Sequence, residues 1–98
     1  MPNRNLFVSY DLRNPGQNYE AVIAEIKRHG YWVKVQYSLF YLSTTETARQ
    51  VADAVWRAMD SNDSLIVVDA TNNEAYWYGL SPEASKALQE RWNYQRAA

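Results

Sequence analysis

The sequence predicts an α+β domain of the split β-α-β, ferredoxin-like type, with a four-stranded antiparallel sheet followed by a C-terminal aromatic segment and a short helix. Three observations carry this. Short apolar and β-branched runs alternate with segments of helical periodicity in the order β-α-β-β-α-β. Turn chemistry separates them at Asn14-Pro15-Gly16 and at Asp60-Ser61-Asn62-Asp63. The 98 residues fit one domain, with a core over about 5–71 and an extension over about 72–98.

Leu6 to Leu12 opens the order. Leu6, Val8, Tyr10 and Leu12 fall on one alternating face, Phe7 and Ser9 on the other, the pattern of a strand covered on both sides. Tyr19, Val22, Ile23 and Ile26 then recur at helical spacing, up to a basic last turn, Lys27-Arg28-His29, and a capping glycine, Gly30. His29, the single histidine, is expected there to complement the helix dipole.

Tyr31–Val35 and Tyr37–Leu42 read as a hairpin or as one long bent strand. Ser43-Thr44-Thr45-Glu46 has capping-box spacing, and Ala48, Val51, Ala52, Val55 and Met59 line one face of a helix expected over about 44–59. Ser64 to Ala70 is a β-branched run for a fourth strand. Ser81-Pro82-Glu83 opens a last helix, expected to reach about Trp92.

Composition bounds the chemistry. Ten basic and eleven acidic residues nearly balance and are spread along the chain. That argues against a dense positive face for nucleic acid or a membrane surface, while leaving room for a local groove. With no cysteine, disulfides, thiolate metal sites and thiol nucleophiles are excluded. No apolar run is long enough for a signal core or a membrane span, so a cytoplasmic protein is expected. Neither a serine–histidine–aspartate spacing, a glycine-rich phosphate loop nor a histidine metal cluster is present. Enzymatic chemistry is thereby narrowed to carboxylates and metals.

Tyr10-Asp11-Leu12 closing the first strand, Gly30 after the first helix, Val35-Gln36-Tyr37-Ser38-Leu39-Phe40, and Asp63-Ser64-Leu65 opening the fourth strand form an ordered combination. It resembles the small ferredoxin-fold protein of CRISPR adaptation, the second Cas protein, and its relative virulence-associated protein D. The resemblance covers roughly Leu6 to Ala70. It implies a symmetric dimer in which the strand-one aspartates approach each other, sometimes around a divalent metal. It also implies a metal-dependent endonuclease acting on RNA or DNA, a toxin-type ribonuclease, or a non-catalytic scaffold, with an integrase-like protein as a partner. This chain differs in the stretch Arg13-Asn14-Pro15-Gly16-Gln17, in Tyr41 where an acidic residue is often found, and in its C-terminal segment.

Asp11 is therefore the candidate catalytic residue and the candidate ligand for Mg²⁺ or Mn²⁺. One aspartate is a poor site for a hard cation, so a second copy of Asp11 is needed. Tyr10, Ser9 and Ser38 are candidate supporting residues, the two serines by converging from adjacent strands. The alternative is that Asp11 caps the following loop, accepting backbone hydrogen bonds near Asn14 to Gln17. A large exposed apolar sheet face predicts a homodimer built sheet against sheet. Tyr37, Tyr76, Trp77 and Tyr78 are expected at its interface, the last three on a strand that crosses to the partner's sheet edge. The aromatic residues suit a core and a protein interface better than a base-stacking platform, which normally comes with a basic groove.

Overall fold

The computed structural model describes residues 3–13 and 19–97, with side chains to Trp92. The elements run β1 (Arg4–Asp11), α1 (Tyr19–Lys27), β2 (Tyr31–Gln36), β3 (Leu39–Thr44), α2 (Ala48–Trp56), β4 (Ser64–Asp69), β5 (Glu74–Tyr78) and α3 (Pro82–Ala97). The chain is α+β, and all its strands join one antiparallel sheet in the order β2-β3-β1-β4-β5. The sheet has five strands rather than the expected four. The added one is the aromatic segment Tyr76-Trp77-Tyr78, which pairs with β4 of its own chain through Leu65↔Tyr78, Ile66↔Trp77 and Val67↔Tyr76.

Alternation along β1 divides the molecule. Leu6, Val8 and Tyr10 are buried with Phe40 and Leu42 of β3 and Leu65 and Val67 of β4. Val22 and Ile26 of α1 and Ala48, Val51, Ala52 and Val55 of α2 close the core from the helical side. Burying these side chains is the main source of stability, at roughly 1.5–3 kcal/mol for each of the larger ones. The odd residues of β1 face the other way. There Phe7 lies between Tyr41 and Val68, and Ser9 between Leu39 and Ile66.

Several local expectations are corrected. β3 continues its ladder with β1 through Thr44, opposite Arg4, so Ser43 and Thr44 belong to the strand and cannot open α2. The capping box is formed instead by Thr47, whose hydroxyl accepts from the Gln50 amide while the Gln50 side chain accepts from the Thr47 amide. Glu46, freed from that role, lies 2.7 Å from His29 Nδ1, and Glu25 lies 2.9 Å from Nε2. His29 is thus a buried bridge, 8% exposed, between α1 and the β3–α2 loop rather than a surface complement to a dipole. Hydrogen bonding from Arg28 and then His29 keeps the Glu25 carboxyl below its ordinary range against the opposing effect of burial. Gly30 is not in the left-handed region. A Cβ there would stand 2.2 Å from the Ser43 carbonyl oxygen, so close backbone approach, not capping, requires glycine.

Tyr37 and Ser38 form the two-residue turn between β2 and β3, with Ser38 at φ 58°. Ser81 does cap α3, its hydroxyl accepting from the Ala84 amide at 3.1 Å, and the helix extends beyond Trp92. No helix among the described residues is long and apolar enough to cross a membrane.

Candidate functional site

β1 ends at Asp11, where the strand has run past Leu39, the first residue of β3, but still pairs with Ser64 at the start of β4. As an odd residue of β1, Asp11 projects on the open face, and its side chain is 69% exposed. Its one charged neighbour among the described residues is Arg13, with Nε 3.4 Å from Asp11 Oδ2. Arg13 also donates from Nη2 to Ser64 Oγ at 3.1 Å, and Ser64 Oγ donates to the Gly79 carbonyl at 3.0 Å. A shallow cleft of about 260 Å³ results, with Asp11, Arg13, Ser9 and Ser64 as its polar lining and Ile66 and Leu80 as its apolar lining.

The loop after β1 is held by a different carboxylate. Asp63, fully buried, accepts the Arg13 amide on Oδ1 at 2.9 Å and the Asp60 amide on Oδ2 at 2.7 Å. The hydrogen bonds that Asp11 was given as a loop cap, near Asn14 to Gln17, lie outside the described residues. At the opposite end of the sheet, Asp69 is engaged in the same manner. It accepts from Arg4 Nη1, the Thr71 and Asn72 amides, and Asn72 Nδ2, all at 2.9–3.1 Å. Asp11 is the strand-end aspartate left facing solvent.

The proposed supporting residues divide. Ser9 shares the open face and the cleft with Asp11. Tyr10 points to the helical side, packed on Phe40 with ring centroids 6.4 Å apart, because adjacent residues of a strand face opposite ways. Burial raises its phenol pKa, and a hydrogen bond with Ser38 partly offsets that. Ser38 sits in the turn, its carbonyl accepting the Tyr10 amide at 3.2 Å, and so serves Tyr10 rather than Asp11.

The aromatic set divides too. Tyr76 and Tyr78 face α2. Tyr78 stacks on Trp56 at 5.1 Å and donates its hydroxyl to Asp53 Oδ1 at 2.5 Å, and Arg49 lies over the Tyr76 ring at 5.6 Å. Trp77 is on the open-face side and donates Nε1 to Ser85 Oγ at 3.0 Å. Tyr37, at 88% exposure, projects from the turn. A second cleft, of about 470 Å³, runs between the start of α2, β5 and α3, with Arg49, Glu74, Trp77 and Trp92 on its walls.

Among the described residues no group of three or more His, Asp or Glu side chains could hold a metal ion. Asp11 with two serine hydroxyls and a guanidinium nearby does not fit a divalent cation within one chain, since such ions want several oxygen ligands and no adjacent cation. Sequence reasoning missed Asp63, Arg13 and Ser64 as parts of the site. The Asp-x-x-Asp spacing of Asp60 and Asp63, which suits a side chain closing its own turn, was the signal for the first. Comparison with family models, with curated proteins and with solved structures finds no match.

Proposed function

We propose that the chain works as a cytoplasmic homodimer of the type formed by the second Cas protein and virulence-associated protein D, and that it is a metal-dependent endonuclease acting on RNA or DNA through paired Asp11 carboxylates. On this reading the β4-β1-β3-β2 portion of the sheet is a ferredoxin-like core and β5 is an edge addition. The observation that carries it is the position of Asp11. It is an exposed carboxylate flush with the open face, at the end of an apolar surface made by Phe7, Leu39, Tyr41, Ile66 and Val68. Joining two such faces removes that surface from water and draws the two carboxylates toward one axis.

Two nearby carboxylates repel, and binding Mg²⁺ or Mn²⁺ relieves the repulsion, which is how the dimer would complete a donor set that one chain lacks. When bound, such an ion supplies an activated water and neutralises phosphodiester charge. Arg13, with its guanidinium in the same cleft, is placed to engage a phosphate oxygen. Biologically the reading fits antiviral defence with an integrase-like partner, or a toxin–antitoxin pair.

A second reading is a non-catalytic dimeric scaffold or regulatory module. It is favoured by the Asp11–Arg13 ion pair, which already neutralises the candidate carboxylate. Purified protein is incubated with single- and double-stranded RNA and DNA, with and without Mg²⁺ or Mn²⁺, beside Asp11→Asn. Metal-dependent cleavage that the substitution abolishes supports the nuclease. Cleavage that survives unchanged sinks it, and no cleavage of any substrate leaves the module. Light scattering tests the dimer separately, expecting twice the 11.4 kDa of one chain.

A further inference from the structure

β2 is the other edge of the sheet, and all six of its residues are exposed. Its composition is unusual for an edge. Tyr31 is 71% exposed, Trp32 and Val33 about 40% each, and Tyr37, in the turn that follows, 88%. Edge strands are ordinarily blunted by charge and brevity to prevent association. The charge found here is of one sign. Between positions 27 and 45 lie three of the ten basic residues and none of the eleven acidic ones, so a chain that is net negative carries a positive edge.

The structure sets these charges beside the rings. Lys27 Nζ, from the last turn of α1, lies 4.1 Å from the Trp32 ring centroid, and Lys34 Nζ lies 5.3 Å from that of Tyr37. Arg28 is turned away into its pair with Glu25 at 2.7 Å. Trp32 and Lys34 lie on one side of this six-residue strand, about 20 Å long, opposite Leu42 and Phe40, and Tyr31 lies on the other. On the first side two exposed ammonium groups each sit against one ring, Lys27 of α1 on Trp32 and Lys34 on Tyr37 of the turn.

We infer that this side of the edge, Lys27, Trp32, Lys34 and Tyr37, binds single-stranded nucleic acid, the rings stacking on bases and the two lysines meeting the phosphates between them. Rings supply sequence-tolerant stacking and the ammonium groups supply the salt-dependent part of the affinity. A second copy of the chain suits the edge poorly. The irregularity between Lys34 and Gln36 bends the edge away from the regular ladder that such pairing needs. The inference does not rest on Asp11 and holds for a nuclease or a scaffold.

The test is fluorescence anisotropy in EDTA, with labelled oligo-dT and oligo-U of about 15 nucleotides, the upper range of one such site, titrated at several salt concentrations. Wild type should bind both strands. Tyr37→Ala and Trp32→Ala should each weaken binding about tenfold. Lys27→Gln with Lys34→Gln should lower the slope of log affinity against log salt by about 1.4. Arg57→Gln, an exposed cation at the C-cap of α2 and outside this set of residues, should change neither, and circular dichroism confirms that the variants are folded. No saturable binding by wild type, or binding that all four edge substitutions leave intact, overturns the inference. So does a change in molecular mass on Trp32→Ala or Tyr37→Ala, which would make the edge a subunit contact. Because binding is read without metal, a protein that binds strands and cleaves none refutes the nuclease reading alone.

Discussion

Asp63→Ala should be among the most damaging single substitutions in the chain, although the residue lies in a turn and is not one of the apolar core residues. Its carboxylate accepts the Arg13 and Asp60 amides and ties the exit of β1 to the turn before β4. Hydrogen bonds to a charged group contribute about 1.5–3 kcal/mol each. Asp60 and Arg13 are exposed, so water can reach their amides once the carboxylate is gone, and the lower figure applies to both. The expected loss is about 3 kcal/mol, a large part of the ~5–15 kcal/mol that holds a domain folded. It corresponds to a melting temperature lower by roughly 15–20 °C for a chain of this size. Asp63→Asn keeps one acceptor oxygen and should lose about half as much. Urea unfolding followed by far-ultraviolet circular dichroism reads the difference, with an unchanged denaturant slope because the surface exposed on unfolding is the same. An alanine variant within about 0.5 kcal/mol of wild type, the range of ordinary surface changes, would refute the assignment of Asp63 as the anchor.

Three other outcomes follow from geometry. Gly79→Ala should destabilise by more than about 1 kcal/mol, since Gly79 has φ 74° and a Cβ there would stand 1.9 Å from the Asp63 carbonyl oxygen. A thermal melt measures it. The hydrogen bond to Asp53, then burial, pushes the Tyr78 phenol up to about 12. The stability it adds is therefore complete below the ordinary tyrosine value near 10 and is lost as pH rises through the higher folded value. Tyr78→Phe should cost about 1 kcal/mol at neutral pH and remove a step near pH 12 from the ultraviolet tyrosine titration. For Asp69, burial disfavours the charge, but hydrogen bonds from Asn72, Arg4 and Thr71 outweigh it and hold the carboxyl below its ordinary value. Its contribution is present above about pH 4 and disappears as pH falls through the lower folded value. Unfolding of Asp69→Asn should accordingly depend less on pH across that acid range than unfolding of wild type.

The sheet and the first helix were legible because their signals are periodic. Leu6, Val8 and Tyr10 face the core as their alternation requires, and Val22 and Ile26 are the buried positions of α1. What was not legible depended on competition between neighbours. Ser43 and Glu46 have the right spacing for a cap, but the pairing of Ser43 with Asn5 and Thr44 with Arg4 claims those residues first, and the cap passes to Thr47. The aromatic run 76–78 reads as a strand, yet nothing in its residues says whether it lies on its own sheet or a partner's. In the candidate site, the exposed end position of Asp11 follows from alternation, and the rejection of Tyr10 follows from the same rule. Arg13, Asp63 and Gly79 meet only through long-range folding and leave no local pattern to find.

Helix α3 is fastened differently from the other two. Its inward stripe is Ser85, Leu88 and Trp92, and two indole N–H groups join it to the sheet edge, Trp77 to Ser85 and Trp92 to the Asn73 carbonyl. Its described side chains, to Trp92, are absent from the buried core, so releasing them opens no cavity there. The helix therefore forms a separate tier of cooperativity, able to open at a fraction of the free energy that unfolds the sheet. In hydrogen exchange its amides belong to a faster class than those of β1 and β4, and the cleft it walls off widens whenever it opens.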